Sequence, residues 1–299
     1  MIGYSGRSFW SPVFMKIFWN TAEQIKSYEG RRRIMIKYNN YLDIQVSMGQ
    51  IPVVFLHAFP VNQKMWELQT DALQEAGIPC LTLDYPGFGA SRLIDEIEEI
   101  DDYGTAVKSV IQELHITKAI FVGLSMGGYI ALALFRNSPQ LFHGLVLADT
   151  RASADTDETR QKRFGMIEQL NSSGDASFIF EQHIGKFLTE ETRQRTPELE
   201  KQIIALMNES SNDGIISALK AMVGRPDSRP LLKEMGFPVL ILTGEKDELT
   251  SPAEAEEMAS LCPDTTMHLI PDAAHLSKME NPEVFNRHLL NYLRKVLYN

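Results

Sequence analysis

The 299-residue sequence is poor in cysteine, in long apolar runs and in positive charge. Its two cysteines, Cys80 and Cys262, form no Cys-x-x-Cys pair and cannot build a disulfide framework or a zinc site, so we expect both thiols to stay reduced. The only candidate for a membrane span, residues 9–19, is interrupted by Lys16 and falls short of the ~18 apolar residues required. With 29 Lys and Arg against 39 Asp and Glu, the formal charge is −10, which argues against a nucleic-acid partner because it repels phosphate backbones. We therefore expect a cytoplasmic protein that acts on a small molecule.

What the sequence does contain is enough apolar material for a large core. Hydrophobic residues make up 44% of the chain and charged residues 23%, which is ordinary for a globular protein and excludes a disordered, collagen-like or coiled-coil chain. The length fits either two domains or one large α/β layer structure with an insertion.

From residue 34 onward, short apolar runs alternate with helical patterns. Residues 34–38 and 42–46 alternate apolar and polar side chains around Asn39-Asn40, which predicts a hairpin. Continuous apolar runs, typical of strands covered on both faces, follow at 52–57, 80–84, 119–124, 144–149, 239–243 and 266–270. Helical patterns lie at 103–114, 128–135, 253–261 and 284–297. The alternation predicts an α/β fold with a doubly wound, mostly parallel sheet.

The interval 151–235 breaks this alternation, because it separates two predicted strands by about 85 residues. Its apolar residues punctuate polar helical segments, which predicts an inserted all-helical cap, or lid. We therefore expect an α/β core at residues 34–150 and 236–299, the cap at 151–235, and an N-terminal extension at 1–33.

The extension differs from the rest of the chain in charge, carrying a net +4 while the other 266 residues carry −14. Ser11-Pro12 is typical of a helix start, and an amphipathic helix is predicted from the spacing of Trp10, Val13, Phe14, Ile17, Phe18 and Ile25. The helix either packs on the body of the protein or belongs to an upstream extension, with Met15 or Met35 as the natural start. Contact with an anionic membrane surface is a less favoured alternative. A signal peptide is disfavoured because Lys16 interrupts the apolar stretch.

The strongest indication of chemistry is Gly123-Leu124-Ser125-Met126-Gly127, between a predicted strand and a predicted helix. A serine in so sharp a turn adopts a sparsely allowed backbone conformation that exposes its hydroxyl, and the flanking glycines are needed because side chains would collide across the turn. The N–H of Met126 then lies at a helix N-terminus, where it can stabilise an oxyanion.

A serine hydroxyl is a weak nucleophile, so a base must lie beside it and an acid must orient that base. Of the seven histidines, His275 follows the last predicted strand, at the edge where open α/β sheets build their sites. Asp247, also just past a strand end, is the expected acid, with Asp149 as the alternative. The loop after the strand ending at His57 supplies the second oxyanion donor, the N–H of Phe59, and we interpret His57 as a structural residue that holds this loop.

At this point the residues resemble the α/β-hydrolase superfamily, from about Ile34 to Leu297. Members typically carry a His-Gly-x-Pro loop, an Asp-x-x-Gly-x-Gly-x-Ser turn, the serine elbow, a helical cap, Gly-x-x-Asp and a final Gly-His. The corresponding segments here are 57–60, 84–91, 123–127, 151–235, 244–247 and 274–275. Two positions depart from the pattern: Ala58 and Ala274 replace glycines, and Ala58 would narrow the oxyanion loop if its φ had to be positive. Segments 145–151 and 224–228 resemble the branch of enol-lactonases, small-ester carboxylesterases and perhydrolases.

The resemblance implies a serine hydrolase that cleaves a small carboxylic ester or lactone through an acyl-enzyme, with Ser125, Asp247 and His275 as the triad and Phe59 and Met126 as oxyanion donors. No metal or organic cofactor is implied. A slow ligand receptor and a C–C bond hydrolase or perhydrolase with the same triad are the alternatives. We expect an apolar pocket for uncharged acyl groups, lined by Met126 and by four aromatic residues, Trp66, Phe88, Phe164 and Phe187.

Overall fold

The computed structural model describes residues 20–28, 32–41, 50–93 and 97–298 and contains one eight-stranded sheet. The strand order is β1-β2-β4-β3-β5-β6-β7-β8. The β1–β2 and β2–β4 pairs are antiparallel, and every other neighbouring pair is parallel. This confirms the predicted α/β fold with a mostly parallel sheet. The strands are β1 Asn20–Tyr28, β2 Arg32–Tyr41, β3 Val53–Leu56, β4 Cys80–Leu83, β5 Ala119–Leu124, β6 Phe142–Ala148, β7 Val239–Gly244 and β8 Thr265–Ile270.

The central strands are buried, as their continuous apolar sequences predicted. Every residue of β3, β4, β5 and β7 is buried, and β6 departs from this only at His143. The expectation that 266–270 would be covered on both faces is wrong, because β8 ends the sheet and its residues are mostly half-exposed or exposed. His268 of this strand stacks on His288, with ring centroids 3.9 Å apart.

Helices cover the sheet in two packed pairs: α1 on α12, and α2 on α3. Helix α2 begins with a capping box, in which Glu99 and Asp102 each accept a backbone N–H of the other. Helix α1 was not predicted, since its sequence is mostly polar. The core helices are α1 Glu67–Glu75, α2 Ile100–Glu113, α3 Met126–Asn137, α10 Pro252–Leu261, α11 Ser277–Glu280 and α12 Pro282–Tyr298.

The segment between β6 and β7 is helical, as expected. Side-chain oxygens of Thr156, Thr189 and Ser211 accept backbone N–H groups at the starts of α4, α6 and α8, which explains where these helices begin. Helix α4 packs on α8, and α5 packs on α7. The inserted helices are α4 Asp157–Ser173, α5 Ser177–Phe187, α6 Glu190–Arg195, α7 Pro197–Asn208, α8 Asn212–Gly224 and α9 Arg229–Leu232.

The N-terminal expectations need correction where the structure describes the chain. Ile25, assigned to the amphipathic helix of the extension, lies in strand β1 and pairs with Met35, so the sheet takes in residues placed in the extension. Asn39-Asn40 is not a hairpin turn, because both residues continue β2 along β4, with Asn39 paired to Thr82. The other helix positions, up to Phe18, and the predicted strand 42–46 lie outside the described residues.

Candidate active site

Ser125 occupies the turn between β5 and α3 that its sequence predicts. Its φ of 55° is in the left-handed region, and its N–H donates to the carbonyl oxygen of Ala148 at 3.0 Å. A Cβ at Gly123 would overlap the carbonyl oxygen of Gly127, and a Cβ at Gly127 would overlap that of Leu56. Both glycines are therefore required by close backbone approach, as the motif indicated.

His275 and Asp247 meet beside this turn. The Nδ1 of His275 lies 2.9 Å from Oδ2 of Asp247, and both side chains are almost fully buried. The other carboxylate oxygen, Oδ1, accepts the backbone N–H groups of Leu249 at 2.8 Å and Thr250 at 3.1 Å. Burial raises the pKa of Asp247, but His275 and the hydrogen bonds from the hydroxyl and N–H of Thr250 outweigh burial and bring the pKa below its usual range. The carboxylate is thus ionised and held in one orientation against the imidazole.

Asp149, the alternative acid, has other partners. Its Oδ1 accepts the N–H of Gly244 at 2.8 Å, and its Oδ2 accepts the hydroxyl of Ser277 at 2.6 Å. Among the described residues it has no hydrogen bond to His275. Burial and the nearby charge of Asp247 raise its pKa well above the usual range. Asp149 therefore ties together the ends of β7 and α11, close to the loops that carry Asp247 and His275.

Two backbone amides are free at the positions expected for an oxyanion site. Within the described residues, neither the N–H of Phe59 nor that of Met126 donates to a protein acceptor. Phe59 lines the same cavity as Ser125, and Met126 is the first residue of α3. The helix dipole adds positive potential at the Met126 amide.

His57 has the contacts of a structural residue. Its Nδ1 donates to the carbonyl oxygen of Ala58 at 2.9 Å, and its Nε2 accepts the N–H of Tyr85 at 3.2 Å. Both ring nitrogens are thus occupied, and burial lowers the pKa of His57 to about 3, so the ring is neutral. Ala58 is not among the described residues with positive φ, so its side chain causes no backbone strain in this loop.

A cavity of about 800 Å³ opens at Ser125 and His275. Its lining differs from the expected apolar pocket. Of the four predicted aromatic residues, only Phe187 lines it; its ring stacks on His275 at 5.5 Å. Trp66 and Phe88 are fully buried in the core, and Phe164 is 49% exposed. Met126 is also buried in the core and is not among the residues that line the cavity.

Sequence reasoning missed His183 and Glu280. His183 of α5 lines the cavity, and its ring lies edge-on to Phe59 and Phe187 at 5.8 and 5.6 Å. Glu280 accepts the N–H groups of Ala274 at 2.5 Å and Thr189 at 2.8 Å, which fastens the His275 loop to the inserted helices. Neither lies in a motif, since the contact of His183 with Phe59 and that of Glu280 with Thr189 join residues that are distant in sequence.

A metal-ligand cluster and a membrane-spanning helix are both lacking among the described residues. No three His, Cys, Asp or Glu side chains among them are grouped as a metal ion would require. None of the helices in this part of the chain combines the length and apolar character needed to cross a bilayer.

Comparison with known proteins identifies the class. Residues 51–282 match the family described as the α/β hydrolase fold. A thermophilic esterase from Thermogutta terrifontis is 30% identical and superposes with a TM-score of 0.86, over 93% of this chain and 99% of that one. 3-Oxoadipate enol-lactonase 2 of Acinetobacter baylyi is 26% identical over 234 residues, which cover 78% of this chain and 85% of the relative. The AB hydrolase superfamily protein YisY of Bacillus subtilis is 32% identical over 213 residues, 69% of this chain and 78% of the relative. The chain belongs to the α/β hydrolase fold family, and these relatives support its enol-lactonase and esterase branch.

Proposed function

We propose that this protein is a serine hydrolase of small carboxylic esters or lactones. The observation that carries the proposal is the hydrogen-bonded pair of His275 and Asp247 opening onto the same cavity as the strained Ser125. Two relatives named as an esterase and an enol-lactonase agree with this reaction class.

The first half of the reaction forms an acyl-enzyme. The hydroxyl of Ser125 attacks the carbonyl carbon while Nε2 of His275 takes its proton. Asp247 holds the proton on Nδ1, which leaves Nε2 free to accept, and it stabilises the imidazolium that results. The free amides of Phe59 and Met126 bind the oxygen of the tetrahedral intermediate. His275 then returns the proton to the departing alkoxide.

In the second half, water attacks the acyl-enzyme with His275 again as the base, and the acid product leaves. No atom in this sequence of steps needs a metal or an organic cofactor.

Residues 151–235 act as a lid in this scheme. Helices α4 and α5 contribute ten of the 19 residues that line the cavity, so a bound substrate must touch them. Substrate identity therefore depends on the inserted helices as well as on the sheet edge.

A rate series on p-nitrophenyl esters, from acetyl to long acyl chains, tests the proposal. Wild type is expected to turn over the short esters, and Ser125→Ala is expected to lose this activity. Ser260→Ala serves as the matched control, because Ser260 is exposed on α10 and outside the cavity. A fluorophosphonate should label wild type and the control, but not Ser125→Ala, as read by intact mass.

If neither wild type nor the control turns over any ester above background, ester hydrolysis is the wrong assignment. A slow receptor, C–C bond hydrolysis or peracid formation at the same site would then have to be tested in its place.

A further inference from the structure

The cavity carries positive charge in a protein that is acidic overall. Four basic side chains line it, against one carboxylate, the exposed Glu248, while the whole chain has a formal charge of −10. The basic residues are Arg151, Lys162, Arg163 and Lys186. This excess of basic over acidic side chains lies in the same cavity as Ser125 and His275.

Two of the four basic residues are already neutralised by protein carboxylates. Arg151 donates to Asp155 and Glu254 at 3.4 and 3.3 Å. Lys162 pairs with Glu158 at 2.7 Å. The charges of these two side chains are therefore less available to bind an anionic ligand.

Arg163 is held in a different way. Its Nε donates to Oδ2 of Asp155 at 2.7 Å, and Asp155 is buried and is shared with Arg225, whose Nη1 lies 2.6 Å from Oδ1. Within the described residues the two terminal nitrogens of Arg163 have no acceptor, and they are not closed off from solvent. The guanidinium is thus anchored at one nitrogen and presents a free two-pronged donor, the geometry that matches a carboxylate.

Lys186 supplies a second cation that lines the same cavity as Arg163. It is exposed on α5, and it has no acidic partner in the described part of the chain. Both cations act on His183: burial is the main cause that lowers its pKa to about 4, and the charges of Arg163 and Lys186 contribute to the same shift. Nδ1 of His183 donates to the carbonyl oxygen of Ile179 at 2.7 Å. With its pKa lowered to about 4, the ring is neutral near pH 7 and adds no charge to the cavity.

Arg163 and Lys186 line the same cavity as the reacting groups. The ring centroid of Phe187 lies 5.6 Å from that of His183 and 5.5 Å from that of His275. A small molecule in a cavity of about 800 Å³ can therefore reach Ser125 with one end and the two cations with the other.

We propose that the substrate carries a carboxylate in addition to its ester or lactone bond, and that Arg163 and Lys186 bind this carboxylate. The inference rests on the proposed function and replaces the expectation of an uncharged acyl group. Arg163 and Lys186 are specificity-determining residues in this scheme, since they touch the substrate away from the bond that breaks.

Two esters of equal chain length measure the effect. p-Nitrophenyl hydrogen glutarate and p-nitrophenyl pentanoate share a leaving group and a five-carbon acyl chain, and only the first carries a carboxylate. Wild type is expected to favour the glutarate ester in kcat/KM by about tenfold to hundredfold, the usual worth of hydrogen bonds to a charged group. The preference should shrink as sodium chloride is added, because Lys186 is exposed to solvent.

Substitution of Arg163 or Lys186 tests whether these two residues cause the preference for the glutarate ester. Arg163→Met and Lys186→Met should each reduce the preference for the glutarate ester. Lys201→Met is the matched control, because Lys201 is an exposed cation on α7 outside the cavity, and it should keep the wild-type preference. Arg163→Met leaves Asp155 with Arg225 and Arg151. If that variant still fails to fold by circular dichroism, Lys186→Met carries the test, since its side chain has no structural partner in the described residues.

A second readout does not depend on turnover. Glutarate should bind Ser125→Ala in a calorimeter, and glutaramide, its neutral analogue, should not. Equal kcat/KM for the two esters in wild type, together with no binding of glutarate, would overturn the proposed carboxylate site. If glutarate binds through Arg163 but no ester is turned over, the proposed function fails and the anion site stands.

Discussion

Replacing either of two neighbouring aspartates by asparagine distinguishes the acid that serves His275 from the acid that supports the fold. In Asp247→Asn, the amide oxygen should take the place of Oδ1, because that position accepts the N–H groups of Leu249 and Thr250. The NH₂ group then faces Nδ1 of His275, 2.9 Å away in the wild type. Since NH₂ can only donate, the imidazole proton must move to Nε2, where it blocks transfer from Ser125. A wrong tautomer of this kind costs about 10⁴ in kcat, or about 5 kcal/mol.

Asp149→Asn is the matched comparison. Burial raises the pKa of Asp149 well above its usual range, which favours the neutral carboxyl, and asparagine has nearly the same shape and charge as that form. The amide can accept from Gly244 and donate to Ser277, so we expect kcat within about tenfold of wild type. Asp149→Ala removes the acceptor of two buried donors, the N–H of Gly244 at 2.8 Å and the hydroxyl of Ser277 at 2.6 Å. At about 1–3 kcal/mol for each buried group, its free energy of unfolding should fall by about 2–6 kcal/mol.

The assay is kcat on a short p-nitrophenyl ester for each variant, with urea unfolding followed by circular dichroism on the same preparations. A loss of about 10⁴ in Asp149→Asn, with near-normal activity in Asp247→Asn, would refute the assignment of the two acids. Equal losses in both variants would show that the two carboxyls act as one unit.

Three further outcomes follow from buried groups. Gly127→Ala should destabilise the fold by at least about 1–3 kcal/mol in urea unfolding, because its methyl group would meet the backbone of Leu56; an unchanged midpoint would contradict this. His57 stays neutral in the folded state with a pKa of about 3, so its contribution to stability is full above pH ~6.5 and is lost as pH falls toward 3. His57→Gln should therefore flatten the dependence of the unfolding free energy on pH between about 5 and 6.5. An unchanged slope would contradict the lowered pKa of His57. Burial raises the pKa of Cys80 to about 12 and that of Cys262 to about 11. Neither thiol should therefore react with Ellman's reagent at pH 8 until urea is added. Rapid labelling of the native protein would contradict the burial of these thiols.

Local patterns in the sequence were sufficient for the central parallel strands and for the three residues proposed as the triad. Parallel strands covered on both faces need apolar side chains at every position, which is why β3 to β7 are visible as continuous runs. The serine elbow is recognisable because its glycines are required within five residues of chain. Asp247 and His275 were found because chemistry in this kind of sheet gathers at the carboxyl ends of the strands.

Features that depend on distant contacts could not be obtained in this way. Strand β1 was missed because its pairing with β2 and the path of β2 along β4 outweigh the local helical spacing around Ile25.

The cavity shows most clearly the difference between what local sequence patterns predict and what distant contacts decide. Aromatic character alone placed Trp66 and Phe88 in a pocket, whereas the structure packs both in the core. The free terminal nitrogens of Arg163 depend on Asp155 being shared with Arg225, which lies 70 residues from Asp155 along the chain. The sequence alone was enough to propose the reacting groups, since the serine lies in a short motif and its two partners follow the ends of strands. Only the tertiary structure decided which charges face the substrate, because a charge is neutralised or left free by neighbours that the fold brings together.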